Sequence, residues 1–378
     1  MEFRDLKRQY EHLKPEIDSA IQSICANANF IAGTEIKELE DSLARYTGVK
    51  HCITCANGTD ALTLVLMAWG IGAGDAVFVP DFTFFATAET PAFEGATPIF
   101  VDVDKSTFNI DVIKLENTIT EILKEGKLRP KVIIPVDLFG MPANYDEIER
   151  IAEKYNLLVL EDGAQGFGGK LNDKMACSFG DAATTSFFPA KPLGCYGDGG
   201  AIFTNDDKLA NVIRSLSVHG KDGADKYNNI RVGLNSRLDT IQAAVLNVKF
   251  NAFVTYENEQ TNIAADYYTK ELMEFINCPI IPQGYYSSRA QYTITLNDKN
   301  QRDNLQKFLK DNSIPSMVYY PRTMSQQGAL NRYIKCQPFE CEVAKQLIST
   351  CLSLPIGPYI TKCEQDRVIS YIKLFLKQ

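Results

Sequence analysis

Between residues 50 and 205, short apolar runs alternate with stretches of helical periodicity. The runs are rich in Val, Ile and Phe and are bounded by Gly, Pro or Asp, which is typical of strands. Strands are predicted at residues 51–55, 76–79, 98–101, 131–136, 157–160, 182–188 and 200–204. Helices are predicted between them, at residues 59–68, 85–93, 112–124 and 145–154. Because strand–helix alternation favours parallel pairing, we expect an α/β fold whose mostly parallel sheet carries helices on both faces.

The segments on either side of this block indicate a second, smaller unit. An amphipathic helix is predicted at residues 35–46 and a long helix at residues 238–275. Beyond these, a strand is predicted at residues 291–296 and helices at 302–311, near 341–351 and at 362–376. We therefore expect a large domain over residues 1–250, with an N-terminal helical segment, and a smaller C-terminal α/β domain over residues 251–378.

The composition excludes several classes of partner. The chain has 378 residues, of which 45% are hydrophobic and 23% are charged, as in ordinary globular proteins. Its net charge is −8, and no basic patch dominates, so nucleic acids and anionic membranes are poor partners. We expect no signal peptide and no membrane-spanning segment, because no apolar run approaches about 18 residues. The expected location is the cytoplasm.

Cysteine usage agrees with a reducing compartment. The ten cysteines are scattered along the chain without a small-domain disulfide framework. Cys52 and Cys55 form a C-x-x-C pair beside His51, but no second ligand pair follows at zinc-like spacing. We therefore interpret the pair as part of a buried strand and predict no metal site.

Lys191 and Asp162 point to a specific chemistry. Lys191 lies among prolines and glycines, directly after the apolar run that ends at Phe188. Desolvation lowers the pKa of a lysine and makes its amine a nucleophile, although a solvated loop lysine would have the same neighbours. Asp162 ends another apolar run, where a carboxylate that caps a turn is the alternative. A lysine that binds an aldehyde and an acid that faces a pyridinium nitrogen are together what pyridoxal 5′-phosphate (PLP) enzymes require.

Three phrases carry a resemblance to a known family. They are Cys-Ala-Asn-Gly-Thr-Asp-Ala-Leu at 55–62, the Ser186 to Gly200 segment, and Asn-Ser-Arg-Leu-Asp at 235–239. With them in this order, the chain resembles the DegT/DnrJ/EryC1/StrS sugar aminotransferases from residues 3–6 to the C-terminal helix. It is most similar to members that aminate C3 of nucleotide-linked 3-keto sugars. The resemblance implies a fold-type I PLP-dependent aminotransferase in which Lys191 and Asp162 are catalytic.

The resemblance also implies a cradle for the cofactor. Gly58 and Thr59 would bind the phosphate through the N–H groups at a helix N-terminus, and Ser186 would be a second phosphate ligand, with a strand serine hydrogen-bonded to the backbone as the alternative for Ser186. An ordinary N-cap by Asn57 or Thr59 is the alternative for this segment. Phe84 would lie on the cofactor ring, with core packing as its alternative, and Gln165 would bind the 3-oxygen.

A further set of residues is implied to contact a neighbouring subunit or the substrate. Asn235 would reach the cofactor phosphate of a second subunit, which predicts a homodimer with shared active sites. Arg237 would bind an anionic part of the substrate, with an ion pair to Asp239 as the alternative. His219, Tyr319 and Tyr320 would line the substrate side, whereas structural roles are the alternatives for all three.

The function implied by the resemblance is transfer of an amino group from glutamate to a nucleotide-linked ketosugar. A UDP-2-acetamido-2-deoxy-3-oxo-hexose or -hexuronate is the favoured substrate, for surface polysaccharide or lipopolysaccharide biosynthesis. A dTDP-3-oxo-6-deoxyhexose or a 4-keto sugar is the alternative substrate. A sugar dehydratase is disfavoured because such relatives replace the lysine by histidine, and a non-catalytic PLP-binding sensor is the remaining alternative.

Overall fold

The computed structural model describes residues 1–223, 225 and 227–377. The helices are α1 (Leu6–Asn27), α2 (Thr34–Thr47), α3 (Gly58–Ala68), α4 (Ala86–Phe93), α5 (Val112–Glu125), α6 (Tyr145–Tyr155), α7 (Asp207–Leu216), α8 (Thr240–Ala252), α9 (Asn258–Leu272), α10 (Lys299–Asp311), α11 (Glu342–Thr350) and α12 (Lys362–Leu376). The strands are β1 (His51–Cys55), β2 (Asp75–Pro80), β3 (Thr97–Val101), β4 (Arg129–Ile133), β5 (Leu158–Asp162), β6 (Lys170–Leu171), β7 (Lys174–Met175), β8 (Ala182–Ser186), β9 (Gly200–Thr204), β10 (Tyr285–Tyr286), β11 (Tyr292–Thr295) and β12 (Cys351–Leu354).

Seven strands form the central sheet in the order β1-β9-β8-β5-β4-β2-β3. Strand β9 runs antiparallel to both of its neighbours, and the other adjacent pairs are parallel. The predicted α/β fold with a mostly parallel sheet is confirmed. Two smaller antiparallel sheets, β10-β6-β7 and β11-β12, complete the described part of the chain.

Strand β2 explains why the sheet is covered on both faces. All of its residues are buried, and successive side chains point to opposite faces. Val77 and Val79 pack in a core that contains Ile213 of α7. Ala76 and Phe78 pack in a second core, with residues of α5 and α6. Burying both faces leaves the functional groups at the strand ends, where the polar backbone can meet a ligand.

The C-terminal segment has an apolar core of its own. It is built from residues of α9, α10, α12, β11 and β12, including Tyr268, Ile294 and Val368. The long helix predicted at residues 238–275 is present as α8, a π-helical segment (Phe253–Glu257) and α9 in direct succession. Residue 250 lies inside α8, and Leu347 of α11 packs on the core of the large sheet. The domain division at residue 250 stays a prediction.

Two negative findings apply to the residues that the structure describes. None of the helices there has the length and apolar character needed to cross a bilayer. No cluster of His, Cys, Asp and Glu in those ranges could hold a metal ion. Cys52 and Cys55 are buried in β1, which confirms their interpretation as strand residues.

Candidate active site

The carboxyl ends of β1, β5 and β8 meet at a cavity of about 420 Å³. Parallel strands bring their following residues to one edge of a sheet, which is why distant segments converge here. The cavity is lined by nine of the residues predicted for the site, namely Gly58, Thr59, Phe84, Asp162, Gln165, Ser186, Lys191, Tyr319 and Tyr320.

Lys191 lies five residues beyond β8, in a tight turn closed by its own N–H, which donates to the Phe188 carbonyl over 2.9 Å. Its side chain is partly accessible from the cavity but otherwise surrounded by protein. The pKa of Lys191 is lowered to about 8, chiefly by burial; the charge of Asp162 opposes this effect and the charge of Arg4 adds to it. Within the described residues, Nζ makes no hydrogen bond or ion pair. The amine is therefore free to act as a nucleophile near neutral pH.

Asp162 is the last residue of β5 and is 5% exposed. The hydroxyl of Thr87 donates to its Oδ2 over 2.7 Å, and the Ala164 N–H donates to Oδ1 over 3.2 Å. Burial raises the pKa of Asp162, whereas these two hydrogen bonds and the charge of Lys191 lower it. The carboxylate is thus held by fixed donors and aimed at the cavity, as a partner for a cationic ring nitrogen must be.

The N-terminus of α3 opens on the same cavity. Asn57 caps this helix, because its Oδ1 accepts the Asp60 N–H over 2.8 Å. The predicted N-cap is therefore present, yet the first-turn N–H groups of Gly58 and Thr59 keep no partner among the described residues. A Cβ on Gly58 would lie 2.8 Å from Cβ of Ser186, so only glycine lets the two segments approach this closely. Free N–H groups, a helix dipole and the hydroxyls of Thr59 and Ser186 can together bind a phosphate.

Gln165 is held in one orientation. Its Oε1 accepts the Phe139 N–H over 2.8 Å, so the amide nitrogen must face the other way, towards the cavity. That nitrogen donates to the hydroxyl of Tyr320 over 2.9 Å. Gln165 therefore presents a donor to a cavity ligand, and Tyr320 shares this donor.

Aromatic side chains form part of the cavity wall. Phe84 is 54% exposed, so it is a wall residue and core packing does not account for it. Its ring lies 6.1 Å from that of Tyr320 at an interplanar angle of 48°. Tyr319 contacts Tyr320 edge-on and also lines the cavity. An exposed ring at this place can cover a flat ligand.

These residues fit PLP. The amine of Lys191 can bind the aldehyde, the carboxylate of Asp162 can pair with the ring nitrogen, and the α3 N-terminus with Ser186 can take the phosphate. Residues 11–373 match the DegT/DnrJ/EryC1/StrS aminotransferase family. The chain belongs to this family. Its members depend on PLP, which agrees with the groups that line the cavity.

Individual relatives of this DegT/DnrJ/EryC1/StrS aminotransferase span its whole length. It is 44% identical to a UDP-2-acetamido-2-deoxy-3-oxo-D-glucuronate aminotransferase of Pseudomonas aeruginosa, over 95% of this chain and 96% of the relative. It is 42% identical to a pleiotropic regulatory protein of Geobacillus stearothermophilus, over 99% and 98%. It is 39% identical to a UDP-N-acetyl-3-dehydro-α-D-glucosamine 3-aminotransferase of Acidithiobacillus ferrooxidans, over 98% and 96%.

A solved structure supports the same fold. The crystal structure of a DegT/DnrJ/EryC1/StrS aminotransferase from Brucella abortus superposes with a TM-score of 0.96. That protein is 46% identical, and the match covers 100% of both chains. The fold-type assignment of the aminotransferase is therefore confirmed.

Three predicted residues of this aminotransferase lie outside the cavity lining. Asn235 and Arg237 are exposed, and Arg237 donates to Oδ1 of Asn235 over 2.7 Å. The alternative ion pair between Arg237 and Asp239 does not occur within the described residues. His219 is exposed and has a φ of 63°. Their roles at a shared site stay predictions.

Two further residues at the site carried too weak a signal in the sequence. Thr87, on α4, is fully buried and holds Asp162 in place. The sequence shows only a threonine in an apolar segment after a strand. Nothing in the spacing of the residues indicates that this threonine contacts a carboxylate in another segment. Gln291 also lines the cavity, and its Oε1 is buried without a partner in the described residues.

Proposed function

We propose that this protein transfers an amino group from glutamate to a nucleotide-linked ketosugar with PLP. The observation that carries the proposal is the unpaired amine of Lys191 in a cavity whose far walls are Asp162 and the α3 N-terminus. No other described lysine combines such burial with access to that cavity. PLP supplies an aldehyde that bonds to amines and a ring that accepts electrons from the carbon to be deprotonated.

Each residue has a distinct task in the proposed reaction. Lys191 would hold the cofactor through its amine. Once the amino donor has taken its place, Nζ of Lys191 would carry a proton between the α-carbon of the donor and C4′ of the cofactor. Asp162, which accepts hydrogen bonds from Thr87 and the Ala164 N–H, would face the ring nitrogen and stabilise a proton there. The α3 N-terminus would hold the phosphate and so fix the position of the ring.

The proposed substrate is a UDP-2-acetamido-2-deoxy-3-oxo-hexose or -hexuronate, which would be aminated at C3. Support comes from the P. aeruginosa and A. ferrooxidans relatives, whose names specify these two sugar forms. The two sugars differ at C6, so the choice between a carboxylate and a hydroxymethyl group at this carbon of the substrate stays open. A dTDP-3-oxo-6-deoxyhexose and a 4-keto sugar are alternative substrates. We propose that the product serves surface polysaccharide or lipopolysaccharide biosynthesis in the cytoplasm.

We further propose that the active form is a homodimer with shared sites. Asn235 and Arg237 are exposed and lie outside the cavity of their own chain. Such residues can reach the active site of the other subunit across a two-fold interface. In a symmetric dimer each contact occurs twice, so both sites would be completed in the same way.

A PLP-binding regulator is the second candidate, favoured by the 42% identity to the G. stearothermophilus regulatory protein. The intact set of Lys191, Asp162 and Gln165 speaks against it, because a sensor has no need of a proton carrier. Incubation with PLP, glutamate and a panel of UDP- and dTDP-ketosugars separates the two candidates. An amino sugar in the products supports the enzyme, and NMR of the product assigns the amine to C3 or C4. PLP binding without turnover of any sugar favours the regulator.

The covalent link is tested by borohydride reduction followed by peptide mapping. The label is expected on Lys191. Lys249 is an internal control, because burial lowers its pKa to about 8 as well, yet it does not line the cavity. A label on Lys249, or no label, would contradict the proposed role of Lys191.

A further inference from the structure

Two carboxyl groups, those of Asp137 and Glu161, contact each other beneath the cavity floor. Both side chains are 0% exposed. Glu161 directly precedes Asp162 in β5, and Asp137 begins the turn that follows β4. Within the described residues, no Lys, Arg or His forms an ion pair with either group. Two buried carboxylates without a cation would repel each other strongly.

The hydrogen-bond donors around the pair are unevenly distributed. Both oxygens of Glu161 accept backbone N–H groups, Oε1 that of Cys177 and Oε2 that of Phe179. Oδ1 of Asp137 accepts the Ala143 N–H over 3.0 Å and the Tyr145 hydroxyl over 2.8 Å. Oδ2 of Asp137 is buried and has no donor in the described part of the chain. A proton on this oxygen would satisfy it and donate to Glu161.

We propose that Asp137 carries a proton on Oδ2, shared with Glu161, and that this contact fixes the turn that orients Gln165 in the active site. The turn is joined to the site at two points. The Asp137 N–H donates to the carbonyl of Asp162 over 3.1 Å, and the Phe139 N–H donates to Oε1 of Gln165. Asp137 is therefore a positioning residue that acts through Gln165 and Asp162.

The surroundings of the pair favour retention of the proton. Burial is the main cause that raises the pKa of Asp137 to about 7; the charge of Asp162 acts in the same direction, whereas the hydrogen bonds with Glu161, Tyr145 and the Ala143 N–H act against it. Burial and the charge of Asp137 also raise the pKa of Glu161. The other titratable groups that face the pair are the hydroxyls of Tyr145 and Tyr285 and the Cys177 thiol, which are neutral at pH 7 because the pKa of each is raised. None of these groups supplies a positive charge that would drive the proton off.

Two isosteric substitutions test where the proton lies. In Asp137→Asn, the amide N–H replaces the O–H that donates to Glu161, and the amide oxygen keeps both donors on Oδ1. In Glu161→Gln, the new NH₂ group opposes the backbone N–H of Cys177 or Phe179. We expect Asp137→Asn to change PLP affinity and kcat by less than threefold, whereas Glu161→Gln and Asp137→Ala lose about tenfold or more. The pH midpoint of the absorption band of bound PLP should shift in Asp137→Ala and in Gln165→Ala, but not in Asp137→Asn.

The pH dependence of unfolding is a second test. The folded state retains a proton that the unfolded chain releases above pH ~4, so the stability of the wild type falls as pH rises from about 4 to about 7. Asp137→Asn has no carboxyl proton to retain, so it does not lose stability in this way. Its Tm relative to the wild type should therefore rise as pH increases from about 4 to about 7. Asp102→Asn is the matched control, because Asp102 is also buried but, among the residues that the structure describes, accepts only backbone N–H groups, including those of Val343 and Ala344. Asp102→Asn should have a lower Tm than the wild type at every pH and should show no rise in Tm between pH ~4 and ~7.

The kcat test of this inference rests on the proposed function. The unfolding test does not, because unfolding is measured without substrate. Equal losses in Asp137→Asn and Glu161→Gln, a constant Tm difference between Asp137→Asn and the wild type, or failure of Asp137→Asn to fold would each overturn it. Absence of transamination by the wild type, together with the expected Tm pattern, would instead refute the proposed function and leave the shared proton standing.

Discussion

The hydroxyl of Thr87 donates a 2.7 Å hydrogen bond to Oδ2 of Asp162, across a sequence separation of 75 residues. Oγ1 of Thr83 lies 3.1 Å from Oγ1 of Thr87, so a short chain of hydroxyls leads to the carboxylate. All three side chains are buried. Burial raises the pKa of Asp162, and the hydrogen bonds from Thr87 and the Ala164 N–H oppose that rise because they stabilise the ionised carboxylate.

Thr87→Val should therefore lower the activity, although PLP should still bind. Removal of one donor to a buried carboxylate costs about 1–3 kcal/mol, and a loss of this size in the transition state would lower kcat by about 5- to 150-fold. The pKa of Asp162 should rise further, so the acidic limb of the pH–rate profile moves to higher pH and activity partly recovers in alkaline buffer. Thr87→Ser keeps the hydroxyl and is the control. An acidic limb that stays in place in Thr87→Val would contradict this role of Thr87.

The lowered pKa of Lys191, about 8, predicts how the cofactor-free protein takes up PLP. Only the neutral amine attacks an aldehyde, so the rate of covalent attachment should rise with pH, with its midpoint at about 8, and level off at higher pH. The rate can be followed by the visible absorbance of the bound cofactor after rapid mixing. Lys191→Arg should give no attachment at any pH, because a guanidinium stays protonated. A midpoint near the ordinary lysine value of 10.5 would show that the burial seen here does not shift this amine.

Gly58→Ala should impair the phosphate cradle. The new Cβ would lie 2.8 Å from Cβ of Ser186, so the α3 N-terminus must move away from the hydroxyl. We expect a stability loss of about 1–3 kcal/mol from overpacking and at least a tenfold weaker affinity for PLP. Gly328→Ala is the matched control, because a Cβ at Gly328 meets nothing within 4 Å. Equal behaviour of the two variants in PLP titration and thermal unfolding would argue against the cradle.

The proposed sharing of sites between subunits can be tested by complementation. Lys191→Ala and Asn235→Ala should each be nearly inactive alone, if Asn235 acts on the neighbouring subunit. In a mixed dimer one site carries both substitutions and the other carries neither, so random mixing should restore about a quarter of the wild-type activity. Activity is measured after co-refolding or co-expression of the two variants. No recovery, with mixed dimers present by mass spectrometry, would place Asn235 at the site of its own chain or at none.

Much of the fold could be predicted because local patterns in this chain are strong. The predicted bounds of β1 and β9 agree with the structure, and those of β2 and α12 agree within one residue. Fully buried strands next to amphipathic helices leave few alternatives to a parallel sheet. Helix α1 was not predicted, since it carries Pro15 in its interior and few apolar residues. The two-residue strands β6, β7 and β10 are too short for any periodicity to be visible.

The amino-acid sequence by itself determined the strand–helix order, the reactive lysine in its Pro- and Gly-rich turn, and the glycine that opens α3. Only the tertiary structure decided which groups meet these residues. Thr87 beneath Asp162, Phe139 behind Gln165 and the Asp137–Glu161 contact all join segments from different strands. The physical reason is that periodicity reports which face of an element is buried, whereas a pKa and a hydrogen-bond partner depend on neighbours that only packing brings together.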